Sequence, residues 1–204
     1  MASNIKVYNR TGFLYDAVIG PISREARDRA VAGLNLPPEG RLLVSGVGSG
    51  LDLQHLPRGV RGVGVDLSGG MLRRARKRRA GLGMPSFELR GMDARSLDLP
   101  DESFDAVYLP LIVTVAPDGQ RILAEAARVA KPGVRLVVLD RFWPEGRPRP
   151  AAVRRAGALL GSLATHIDRR FSEIHVGAPD LRILDDETLA LGGFLRLVTL
   201  EKPA

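Results

Sequence analysis

The chain has 204 residues, 45% of them apolar, which suits one globular domain with a substantial core and excludes a disordered chain. It has no cysteine, which removes disulfides, thiolate metal sites and a cysteine nucleophile together. The formal net charge of +7 favours anionic partners, but aromatic residues are only 5% and do not interleave with basic ones, so nucleic acid is not expected as a partner.

Residues 1–20 form a mixed apolar opening with Val7, Tyr8, Phe13, Leu14 and Tyr15, suited to a short helix or a lid. Glu25–Leu34 reads as a helix, and Leu36-Pro37-Pro38-Glu39-Gly40 as its exit. Arg41–Ser45 reads as a buried strand, followed by a glycine turn and a short helix from about Leu51. A second strand is expected at Arg61–Asp66, then a basic helix at Gly70–Ala80 that Gly81 and Gly83 end. Strands three and four are expected at Phe87–Arg90 and Ala106–Leu109. The helix Gln120–Ala130 stops at Pro132-Gly133, before a fifth strand at Arg135–Leu139. A loop over 144–150 precedes a helical pattern at Ala151–Ala164 and two closing strands, Leu181–Leu184 and Phe194–Leu200. Gly192-Gly193 permits a reversal between them. Alternating strands and helices predict an α/β fold with a mostly parallel sheet and helices on both faces.

The turn after the first strand carries the chemistry. Gly46, Gly48 and Gly50 leave almost no side chain in the way, so a ligand can lie against backbone N–H groups. Asp66 ends the second strand twenty residues after Gly46, where a carboxylate can accept both hydroxyls of a ribose. A tight βα turn without a ligand is the plain alternative. The spacing departs from the dinucleotide fingerprint, because Leu51 stands where that motif needs its last glycine. No lysine follows the glycines, so a phosphate-binding loop is not expected. Asp52 would repel a pyrophosphate and suits a cationic amino-acid tail, which is the form of S-adenosylmethionine.

At these residues the sequence resembles the class I S-adenosylmethionine-dependent methyltransferases, over nearly the whole chain. Val44-Ser45-Gly46-Val47-Gly48-Ser49-Gly50 resembles their first motif, and Gly64-Val65-Asp66-Leu67-Ser68 with Met71-Leu72 the second. Gly91-Met92-Asp93-Ala94 resembles the third, Ser103-Phe104-Asp105-Ala106-Val107-Tyr108 the fourth-strand motif, and the run from Glu125 to Gly133 the helix and turn before the fifth strand. The resemblance implies a Rossmann-like fold of seven strands with an antiparallel last strand, in a single domain. Residues 1–40 would then be a lid or helical segment, 41–141 the cofactor core, and 142–204 the acceptor side and closing strands. It also implies S-adenosylmethionine as cofactor. Gly46, Gly48, Gly50, Asp66, Leu67, Met71, Asp93, Ala94, Leu109 and Pro110 would bind it, with Asp66 on the ribose and Asp93 on the adenine amine. Asp93 also fits a turn or cap residue. Tyr15-Asp16 resembles more narrowly the start of two groups, the phosphatidylethanolamine N-methyltransferases and the ubiquinone/menaquinone-biosynthesis C-methyltransferases, and Thr114-Val115-Ala116-Pro117-Asp118 with the ending Gly192-Gly193-Phe194-Leu195-Arg196-Leu197 is more similar to the phospholipid group.

The acceptor is therefore expected to be a small molecule or a lipid, a phospholipid amine ahead of a quinone precursor, with an RNA or protein methyltransferase, or a fold that binds the cofactor without turnover, as the alternatives. Tyr8, Tyr15 and Asp140 are the candidates to flank it, and Phe142 and Trp143 to line an apolar pocket or cover the sheet edge. The three histidines have no metal-ligand spacing, and no metal is expected. No apolar stretch is long enough to span a bilayer and no signal peptide is expected, so a cytoplasmic protein is anticipated. The helix carrying Arg73, Arg74, Arg76, Lys77, Arg78 and Arg79 is either a solvated face or a surface for anionic headgroups.

Overall fold

The computed structural model describes residues 24–148, 150, 168–190 and 194–204. Tyr8, Tyr15, the helix expected at 151–164 and the Gly192-Gly193 reversal lie outside them. The elements are α1 (Arg24–Gly33), β1 (Arg41–Ser45), a 3-10 turn (Leu51–His55), β2 (Arg61–Asp66), α2 (Gly69–Gly81), β3 (Phe87–Gly91), β4 (Phe104–Pro110), α3 (Gly119–Val129), β5 (Ala130–Arg141), α4 (Phe171–His175), β6 (Arg182–Ala190) and β7 (Leu195–Glu201). They build a seven-stranded sheet in the order β3-β2-β1-β4-β5-β7-β6. The first five strands pair in parallel, and β7 runs antiparallel to both β5 and β6. This is the Rossmann-like class I fold expected from the sequence.

Side-chain alternation divides the core in two, because successive residues of a strand face opposite sides. Leu43, Val107, Leu109, Leu136 and Val138 face one side and bury Ile122, Leu123 and Ala126 of α3. Leu42, Val44, Tyr108, Val137 and Leu139 face the other and bury Ala26 and Ala30 of α1 and Leu72 of α2. The helices form where small and apolar residues recur at this i, i+4 spacing and where a side chain closes the first turn. Asp118 accepts from Arg121 N at 3.0 Å to start α3, and Ser68 Oγ accepts from Met71 N at 3.2 Å to start α2.

Two strands differ from the sequence reading by more than two residues at one end. Strand β5 begins at Ala130, since Phe104 pairs with Ala130 and Ala106 with Arg135, so Pro132-Gly133 is a bulge inside the strand. Gly133 supplies a φ of +74° there, and its N–H reaches Lys202 O at 2.7 Å. Strand β6 runs to Ala190, because β7 offers it a full-length partner despite two register shifts.

Candidate functional site

Strand order reverses between β1 and β4, which is where open α/β sheets form a crevice at their carboxyl ends. A cavity of about 260 Å³ opens there. Its walls include Gly46, Gly48, Asp66, Leu67, Met71, Asp93, Ala94 and Pro110, so eight of the expected cofactor-binding residues meet on one surface.

The glycine turn is built by β2. Gly46 N and Val47 N both donate to Val65 O at 2.9 Å, so the chain doubles back against the end of β2. Gly46 has a φ of +83°, and a Cβ there would lie 2.6 Å from Ile112 Cδ1, so backbone and the β4 loop touch directly. Asp66 Oδ2 accepts from Gly48 N at 3.0 Å and Oδ1 from Ser68 N at 2.7 Å. Burial pushes its carboxyl above the ordinary range, against the opposing pull of the Ser68, Gly48 and Leu67 N–H groups. A carboxylate fixed at two points on a cavity wall keeps lone pairs for a vicinal diol. Together with the bare glycine backbone, this donor and acceptor set fits a nucleoside.

Asp93 sits at the same edge, but both its oxygens are engaged by Arg95. Arg95 N and Nε donate to Oδ1 at 3.0 Å, and the guanidinium donates to Oδ2 at 2.6 Å. The Arg95 side chain holds this carboxyl below its ordinary range. Asp93 is thus a turn residue that also lines the cavity.

Three expected residues lie off the cavity wall. The Gly50 φ of +82° is needed because a Cβ would meet Leu53 Cδ1 at 2.9 Å and the Ala75 Cα of α2 at 3.0 Å, so Gly50 serves helix packing. Leu109 faces the α3 side and is fully buried, since alternation turns it away while Pro110 reaches the cavity. Asp140 is 0% exposed, accepting from Thr114 N at 3.0 Å, Thr114 Oγ1 at 2.6 Å and Arg141 N at 2.7 Å. Burial raises its pKa. It braces the loop after β4 from behind the cavity wall. Phe142 and Trp143 likewise cover the sheet: Phe142 packs edge-on to Phe171 at 5.3 Å and Trp143 to Phe194 at 5.2 Å.

The sequence reading missed the opposite wall. Leu111 follows β4 with a φ of +51°, unusual for a branched side chain, and its N–H is tied to Leu139 O at 2.7 Å. That bend swings Ile112, Val115, Ala116 and Pro117 onto the cavity. Arg169 clamps the loop from outside through Val113 O, Ala116 O and Pro117 O, the last at 2.7 Å. Arg27 of α1 was also missed. It lines the cavity in an ion pair with Asp52, whose Oδ1 accepts from Tyr108 Oη at 2.9 Å. Its signal was faint: it adjoins Ala26 and Ala30 on the buried face of a helix rich in arginine. Among the described residues, no group of three or more His, Asp or Glu side chains could hold a metal.

Residues 43–138 match the family model described as a methyltransferase domain. The chain is 33% identical over 190 residues to a phosphatidylethanolamine N-methyltransferase of Cereibacter sphaeroides, covering 93% of both proteins. It is 32% identical to a ubiquinone/menaquinone biosynthesis C-methyltransferase of Geobacter sulfurreducens, over 68% of this chain and 56% of that one. The geranyl diphosphate C-methyltransferase of Streptomyces coelicolor, solved with S-adenosyl-L-homocysteine, shares the fold at a TM-score of 0.70 and 16% identity, covering 87% of this chain and 79% of its own. A nucleoside-fitting cleft at the switch point of such a sheet, in a sequence similar to a methyltransferase over 93% of its length, makes the chain a member of the class I S-adenosylmethionine-dependent methyltransferases.

Proposed function

We propose that this methyltransferase acts on the amine of a phospholipid of the phosphatidylethanolamine type. The observation that carries the reading is the likeness to the Cereibacter sphaeroides enzyme over 93% of both chains, where the quinone-pathway relative aligns over 56% of its length. The bound cofactor supplies a methyl group already activated by its sulfonium. The chain's residues then bind and orient. Asp66 accepts the ribose hydroxyls, Asp93 and Ala94 border the adenine, Leu67 and Met71 flank it, and the Gly46 and Gly48 backbone lies along the rest of the ligand. The wall formed by Leu111, Ile112, Val115 and Ala116 is apolar and suits the exclusion of water from an amine that must reach the methyl group unprotonated. Positioning of this kind can contribute on the order of 7–11 kcal/mol.

The basic stripe of α2 adds a route to the substrate. Arg73, Arg76 and Lys77 are exposed on one face at i, i+3 and i+4 spacing, and each suits attraction to anionic headgroups. Among the described residues, no helix is long and apolar enough to cross a membrane, so contact would be peripheral. The test is transfer of labelled methyl from S-adenosylmethionine to vesicles containing phosphatidylethanolamine, to demethylmenaquinone and to RNA. Label in the phospholipid amine is expected. Label in the quinone precursor or RNA alone would overturn the lipid assignment.

A further inference from the structure

Beyond β5 the sheet carries a second polar cluster, none of whose side chains lines the cofactor cleft. Arg196, near the start of β7, stands opposite Asp140 of β5 and therefore at the same end of the sheet as the cleft. It is 8% exposed and lies over the Phe142 ring at 5.7 Å. Its Nε donates to Asp186 Oδ1 of β6 at 2.9 Å and its Nη2 to the other oxygen, so one side of the guanidinium is fixed. Its Nη1 is buried and, among the described residues, has no hydrogen-bond partner. Arg170, just ahead of α4, repeats the pattern. Its Nη2 donates to Arg147 O at 2.7 Å, and its buried Nε has no hydrogen-bond partner among the described residues.

Both orphaned groups flank one acid. Glu145 Oε1 is 3.8 Å from Arg196 Nη1, and Oε2 is 3.9 Å from Arg170 Nε. These are ion pairs too long to be hydrogen bonds. The carboxylate is held instead by Ser172 of α4, whose N–H donates to Oε1 and whose Oγ donates to Oε2, each at 3.1 Å. Four donors thus surround a flat group whose two oxygens reach only the two on Ser172. Buried donors left unmade are costly, and a pair of them around one anion marks a site larger than its occupant. A phosphate group carries more charge and spreads its oxygens tetrahedrally, so it can meet donors that arrive from several directions. Glu145 sits on the segment leading out of β5 with its side chain 43% exposed, so it can swing to solvent without disturbing the sheet.

We infer that Arg170, Ser172 and Arg196 form a binding site for a phosphate group, as a monoester or a diester, and that Glu145 is the internal stand-in which phosphate displaces. One anion replaces another, so both arginines keep a counter-charge throughout. Asp186 continues to hold Arg196, and Glu173 continues to accept from the Arg170 backbone N–H at 3.0 Å. The site is independent of which acceptor is methylated.

Trp143 is the one tryptophan of the chain, and its Nε1 donates at 3.2 Å to the same Arg147 O that Arg170 meets. Its fluorescence reports on this site and not on phosphate held by the basic face of α2. The test is a fluorescence titration at constant ionic strength with inorganic phosphate and with glycerophosphoethanolamine, a phospholipid headgroup without acyl chains. Glu145→Ala is expected to tighten the phosphate response about tenfold over the wild type. Adding Arg170→Gln should cancel that gain. Adding Ser172→Ala instead, a milder change should the arginine variant fail to fold, should remove part of it. A response to glycerophosphoethanolamine at or below the phosphate concentration would identify a lipid headgroup as the ligand, and a weaker one a free phosphate or phosphomonoester. An unchanged phosphate response in Glu145→Ala, or a gain that survived the further substitutions, would overturn the site.

Discussion

Asp66 shows how a single acid can be read from spacing and yet owe its properties to burial. Position twenty residues after Gly46 is visible in the sequence; the N–H groups that pin the carboxylate, and the burial that opposes its charge, are visible only in the fold. Removing a buried charged acceptor costs about 1.5–3 kcal/mol, so Asp66→Ala is expected to weaken S-adenosylmethionine at least tenfold by calorimetry. The pH response has a definite sign. The carboxyl pKa is raised, and its ionised form is the one that would accept two ribose hydroxyls under the proposed role, so affinity should fall as pH drops through that raised value, above the ordinary 3.8. Asp66→Asn should bind weakly with little such dependence; a wild-type profile flat to below pH 4 would contradict the assignment. Leu109 and Asp140 mark the limit of the same reasoning. Both stand at strand ends where ligands gather, but a period of two sends one inward, and the other spends its oxygens on Thr114 and Arg141.

Elements with a strong period were legible: β1 and β2 have the residues expected, and α2 and α3 differ by a residue or so at their ends. What periodicity cannot see is how one element restrains another. Arg128, near the end of α3, donates to Leu99 O at 3.0 Å, Leu97 O at 2.9 Å and Glu125 Oε2 at 2.9 Å, and also meets Asp101. It ties the loop before β4 to α3, and Glu125 accepts from Leu97 N at 2.8 Å in return. The Arg128 guanidinium holds the Glu125 carboxyl below its ordinary value of 4.5. A depressed carboxylate contributes stability above its unfolded pKa and loses it as pH falls through the folded one. Arg128→Ala is therefore expected to cost roughly 1–3 kcal/mol at neutral pH, lowering Tm by several degrees. Thermal melts between pH 6 and 3 should show the gap narrowing as Glu125 is protonated; a constant gap would mean that Glu125 has no part in it. The six basic residues of α2 illustrate the same blindness. Arg78 turns inward to Ser49 O at 2.6 Å and Oγ at 2.8 Å, and Arg79 to Phe87 O at 3.1 Å, so the run is partly a brace for the glycine turn and β3.

At the scale of the molecule, charge and topology act together. A net charge of +7 with Arg73, Arg76 and Lys77 exposed on α2 favours association with anionic surfaces and makes it sensitive to salt. Cosedimentation with vesicles rich in anionic lipid should be strong at low ionic strength and largely lost near 1 M salt, where the Debye length is about 3 Å. Arg73→Glu/Arg76→Glu/Lys77→Glu should reduce it at low ionic strength while leaving methylthioadenosine binding unchanged. Sedimentation indifferent to salt would point to apolar insertion instead.

The place of β7 has a consequence for how the chain is made. It lies between β5 and β6, pairing antiparallel with both. On the ribosome β6 emerges before its one neighbour among the described strands, and β5 waits with a bare edge until the last segment arrives. The cofactor half can assemble early from β1 to β4. Yet Asp140 and Leu139, which anchor the loop lining the cleft after β4, sit on the strand that β7 must complete. A nascent or truncated chain lacking those final residues would hold the makings of a nucleoside cleft beside two sticky, unfinished edges. The risk of aggregation during synthesis is thus concentrated in the interval before the last strand is delivered.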